Sequence, residues 1–205
     1  MEPLSARELL RMHLQQPEYL HVLLNPLPVY GLFIGLVAMG LALLLRHRRA
    51  ELVALSLVFL STLSAWPVAA FGDKGYDRVL TLADEDGQAW LAAHAKRAEQ
   101  LVPLFLAVAA LSAAAAFIPF RWPAWRKPLW YATLAGALVA LACGGWLGYS
   151  GGKIRHKEFR YTPPPRADSP GAAAPPRISL PAVTGSGTYP FCLCCALPLS
   201  RIPTT

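Results

Sequence analysis

Four long stretches of the chain, residues 28–45, 52–72, 101–120 and 129–150, contain no Asp, Glu, Lys, Arg or His. Each is about 18 to 22 residues long, which at helical rise gives roughly 27–33 Å. That matches a bilayer hydrocarbon core of about 30 Å. The pattern predicts an all-α membrane-embedded four-helix bundle with spans at 28–45, 51–72, 101–120 and 129–150. One such run fits a buried helix of a water-soluble protein; four, each flanked by charge, do not.

The polar positions organise the rest. Residues 1–27 form an amphipathic, interfacial lead-in. Ser5-Ala6-Arg7-Glu8 has the form of a capping box, with Leu4 and Leu9 placed as a hydrophobic staple. A short helix therefore starts near Ser5 and ends before Pro17. Asn25-Pro26 is expected to break the chain, with Pro28 opening the first span. Pro67 predicts a kink in the second span. Residues 73–100 read as the longest loop, with helical spacing resuming near Gln88. The last 44 residues contain ten prolines, a composition that predicts a disordered tail over 162–205. The first twenty residues carry Glu2, Arg7, Glu8, Arg11 and Glu18, so a cleavable signal peptide is not expected.

Composition agrees: 55% of the 205 residues are hydrophobic and 15% charged. The net charge of +7 does not point to nucleic acid, because the basic residues cluster beside the spans. The turns at 46–50 and 121–128 hold six Lys/Arg and no acid, whereas 73–100 holds four Lys/Arg and six Asp/Glu. The positive-inside rule then places the two basic turns in the cytoplasm and both termini in the periplasm of a bacterial inner membrane.

The spans lack the ionisable groups that ion and proton pathways use, so chemistry is expected near one surface. Parity of four spans puts His21, His94 and His156 on one side and His47 on the other. Trp90, His94, Ala98 and Leu101 share one helical face, which turns His94 toward the bundle. The three histidines are candidate ligands for a b-type haem or a metal ion, with Glu99 and Glu158 as carboxylates that would orient an imidazole. The plainer alternative is that each histidine bonds a nearby carbonyl.

Small residues recur on the fourth span at Ala132, Gly136, Ala140, Gly144 and Gly148, and on the first at Gly31 and Gly35. Such stripes let helices approach closely. Alternatively, Gly144, Gly145 and Gly148 leave room for a flat cofactor. The acidic group Asp73, Asp77, Asp84, Glu85 and Asp86 lacks the pattern of a calcium loop and reads as a solvated loop. Cys192, Cys194 and Cys195 have no second pair and no nearby histidine, so they do not read as a zinc site.

The segment from His21 to Gly31 resembles the opening of a bacterial four-helix integral membrane protein family of unknown function, whose members begin with a His-Pro-x-x-x-His-Phe-Pro-type motif. Gly72-Asp-Lys-Gly-Tyr76-Asp, His94 with Glu99, Gly144-Gly145 and the Gly-Gly-x-Ile-Arg-His-type ending at 151–156 extend the likeness over roughly residues 18–160. Val22 stands where that motif has proline, and Pro26 where it has the second histidine. The resemblance implies the four-helix fold and an association with respiratory or other redox membrane proteins.

Together these features point to a non-enzymatic redox or metal-handling membrane subunit. A structural or anchoring membrane protein is the second reading. A small-molecule transporter is the third, disfavoured by the lack of intramembrane charge and of a paired repeat with broken helices.

Overall fold

The computed structural model describes residues 5–165. Leu4, the proline-rich tail beyond residue 165 and the three cysteines at 192–195 lie outside the described residues. The first helix, α1 (Ala6–Leu14), starts as its sequence dictates. Ser5 Oγ accepts from the Glu8 backbone N–H, and the Glu8 carboxylate accepts from the Ser5 backbone at 2.9 Å.

Four long helices follow: α2 (Pro17–Leu45), α3 (Arg48–Leu82), α4 (Glu85–Phe120) and α5 (Pro123–Gly152). All four are long and apolar enough to cross a membrane, and many large apolar side chains face outward. Phe33, Ile34, Leu41 and Leu44 on α2 are 56%, 57%, 53% and 79% exposed. Apolar surface of that extent needs lipid to cover it; the protein is an all-α integral membrane protein.

The helices run farther than the apolar stretches. Residues 73–100 are not a loop: α3 continues to Leu82, and α4 begins at Glu85 with Asp84 as its N-cap. The charges there mark helix above the hydrocarbon rather than loss of helix. The expected acidic loop is likewise an ordered cap, because Asp84 Oδ1 accepts from the Gly87 backbone N–H at 3.2 Å.

Two interruptions occur at one level of the bundle. Pro26 and Pro28 remove donors from the ladder of α2, which passes through a π turn at Leu27–Gly31 instead of breaking. In α3 the helix is interrupted at Ser64, three residues before Pro67, whose ring crowds the carbonyl of Leu63. Gly31 packs on Ser61 at that level.

Below it, the helices close on small residues. A Cβ on Gly35 would meet Val58 Cγ2 at 2.9 Å and the Val58 backbone nitrogen at 3.2 Å, and one on Gly136 would meet Val108 at 3.2 Å. Leu32, Met39, Leu55, Val58, Val108 and Ala140 form the core there. Above it, the N-terminal half of α2 docks on the C-terminal half of α3, with Gly75 pressed against Glu18. A smaller cluster of Trp90, Leu91 and Ile154 closes the outermost layer.

Candidate functional site

The upper half of the bundle holds a cavity of about 400 Å³. Its wall includes His21, Asn25 and Val29 of α2, Val68 of α3, His94 and Phe105 of α4, and Gly144, Gly145 and Gly148 of α5. The π turn of α2 contributes Pro28 and Tyr30 to the same wall. A π turn widens the helix locally and recurs at functional sites; here it lies where α2 leaves the close packing of the lower half.

His21 and His94 are held by matching clasps. The His21 Nδ1–H donates to the Val68 carbonyl at 2.8 Å. Gly72, one turn farther along α3, lacks the Cβ that would stand 2.9 Å from that nitrogen. The backbone of Leu147 bonds the His94 imidazole. Gly151, one turn farther along α5, lacks the Cβ that would stand 2.9 Å from the ring's Cε1. In each case a glycine one turn beyond a helical carbonyl lets an imidazole from the preceding helix reach it. This gives Gly72 and Gly151, each the first glycine of its motif, a physical task. Neither stands out as a site residue in the sequence; the pairing shows only once α2 lies on α3 and α4 on α5.

The two imidazoles present different edges. With Nδ1 of His21 engaged as donor, Nε2 retains its lone pair, the arrangement a ligating histidine uses. Nδ1 of His94 is buried beside Gly151 without a hydrogen-bond partner among the described residues. Both imidazoles line the cavity, and that of His21 is held at Nδ1 by a backbone carbonyl. Among the described residues no three His, Cys, Asp or Glu side chains group as they would around a metal ion.

His156 does not join the other two histidines: it is absent from the cavity wall and pairs with Glu158 at 2.8 Å. The residue's own backbone N–H, together with that imidazole, holds the Glu158 carboxyl below its usual range. Glu99 is exposed. The contact that orients His21 is a backbone carbonyl, that of Val68.

The chain matches no protein-family model, no curated protein and no solved structure.

The glycine stripe of α5 divides at this site. Gly136 packs on Val108, and Gly144 on Phe105 and Val29, so both serve helix contact. At Gly145 and Gly148 a Cβ would meet nothing within 4 Å; both are exposed and open toward the cavity. Above the cavity, Arg160 grips Asp84 with two nitrogens at 2.8 Å each and also donates to the carbonyls of Lys153 and Ile154. The Arg160 guanidinium, helped by Lys157, holds the Asp84 carboxyl well below the usual carboxylate range.

Proposed function

We propose that this integral membrane protein is a non-enzymatic binding subunit that holds a flat, mostly apolar redox ligand in the histidine-end cavity. The leading candidate is b-type haem, with His21 Nε2 as its protein ligand. The observation that carries this reading is that His21 and His94 wall one apolar cavity beside Gly144, Gly145 and Gly148. A ring-shaped ligand gains from apolar walls, glycine gaps and a preoriented imidazole. In this reading the protein sits in a bacterial inner membrane with its basic turns cytoplasmic, and passes electrons to a respiratory or other redox membrane partner. The resemblance of its motifs to the four-helix family of unknown function favours the same assignment.

The test is the visible spectrum of the detergent-purified protein from haem-replete cells, oxidised and then dithionite-reduced. A Soret band that shifts on reduction and is lost in His21→Ala is expected. A colourless protein overturns the haem assignment. Cysteine placed at position 48 is expected to resist labelling from the periplasm; labelling there overturns the orientation.

A second reading has its own observation. The two histidine clasps tie α2 to α3 and α4 to α5, as a structural or anchoring membrane protein requires. It predicts that His21→Ala and His94→Ala lower stability without loss of any chromophore.

A further inference from the structure

Most cations at the histidine end already have partners. Arg78 pairs with Glu18 at 2.7 Å, Lys157 and Arg160 pair with Asp84, and Arg155 donates to the Leu82 carbonyl. Lys74 lies over the Phe71 ring, and Arg97 and Lys153 behave in the same way. Among the described residues neither has a carboxylate within ion-pair distance; each lies over aromatic rings instead. The Arg97 guanidinium is 4.7 Å from the Trp146 ring, and Lys153 Nζ is 4.4 Å from Trp90 and 5.1 Å from Tyr149. Trp90 and Arg97 are seven residues apart on α4, and Trp146 and Lys153 seven apart on α5. The two helices thus present one ladder of alternating rings and cations. Trp146 and Tyr149 are 53% and 49% exposed.

The level of this ladder matters. Arg97 is four residues before Leu101, where the apolar run of α4 begins, so it stands about 6 Å outside the hydrocarbon. That is the depth of lipid phosphates and of the tryptophan–tyrosine belt. Two cations without acids, at phosphate depth, complement a negative headgroup.

We propose that the Arg97/Lys153 face of α4 and α5 binds an anionic phospholipid, its phosphate on the two cations. This does not depend on what occupies the cavity.

The full chain in a neutral detergent is titrated with phosphatidylglycerol, with phosphatidylcholine and with inorganic phosphate, and thermal unfolding is followed. Phosphatidylglycerol is expected to raise the melting temperature by about 3 °C. Phosphatidylcholine and free phosphate should leave it unchanged. Arg97→Gln with Lys153→Gln should remove at least half of the rise, whereas Lys74→Gln retains it. Native mass spectrometry on the wild-type chain provides an independent measurement: retained phosphatidylglycerol should fall as salt rises. An equal rise with phosphatidylcholine or phosphate, a full rise in the double variant, or salt-independent retention overturns the proposal.

Discussion

The two halves of the bundle are made from similar residues and behave differently. In the half near the basic turns, the helices touch. Gly35 lies on the Val58 backbone, Gly136 on Val108, and Leu32, Met39 and Val58 are fully buried. Glu51 ties the ends of three helices together. It accepts from Arg126 at 2.7 and 2.9 Å and from Arg48, whose other nitrogen reaches the Ala116 carbonyl at 2.8 Å. In the half beyond the π turn and the Ser64 interruption, the N-terminal part of α2 follows α3, and a cavity remains. Glycines are present in both halves. In the closed half Gly31, Gly35 and Gly136 receive a facing helix; in the open half Gly75 and Gly144 do so too, but Gly72 and Gly151 receive imidazoles and Gly145 and Gly148 nothing. A small-residue stripe is therefore a permission for close approach, and the irregularities of the neighbouring helices decide whether it is used.

The largest break in this comparison is expected from Gly35→Leu. Its Cβ alone would collide with backbone, and backbone cannot yield as a side chain can. A loss of about 3 kcal/mol should appear in denaturant unfolding of the detergent-solubilised protein. Next come Gly72→Ala and Gly151→Ala, each of which pushes an imidazole off its carbonyl. About 1–2 kcal/mol is expected for each, with altered histidine NMR shifts in the matching clasp only. Glu51→Gln leaves two arginines without their shared acid at the closed end. About 1 kcal/mol should be lost, read as faster hydrogen exchange at the start of α5.

The latch above the open half supplies a pH test. The Asp84 carboxyl is depressed in the fold, so its contribution is complete above the ordinary carboxylate range, near pH 4. It fades as pH falls below that range toward the lowered value. Segment 154–160 should become susceptible to an acid-active protease in that window, and Asp84→Asn should expose it already at neutral pH. The smallest effect belongs to Gly145→Ala. Nothing stands near the added methyl, and alanine favours helix by about 0.5–1 kcal/mol, so a small gain in stability is expected. A loss as large as that of Gly151→Ala would erase the distinction between glycines that seat a neighbour and glycines that face open space.

Much of the architecture is legible in the chain. The four charge-free stretches match the four spans, and the Ser5–Glu8 capping box forms where its residues stand. The prolines at 26, 28 and 67 lie in or near real irregularities. Residues 73–82 were less legible, because loss of hydrophobicity says that a helix leaves lipid, not that it stops. The common side of His21 and His94 follows from parity. Their partners do not, since a backbone carbonyl beside a glycine has no signature until a second helix lies across it. His156 sits on the expected side, but a nearby glutamate captures it.

By itself, the sequence determined how many times the chain crosses and which residues reach each surface, because transfer into lipid depends on composition summed along a helix. Only the tertiary structure decided that two histidines share a cavity, that Gly72 and Gly151 seat them, and that Arg97 and Lys153 remain without acids. Those outcomes depend on which helix faces which, a long-range choice set by packing between segments.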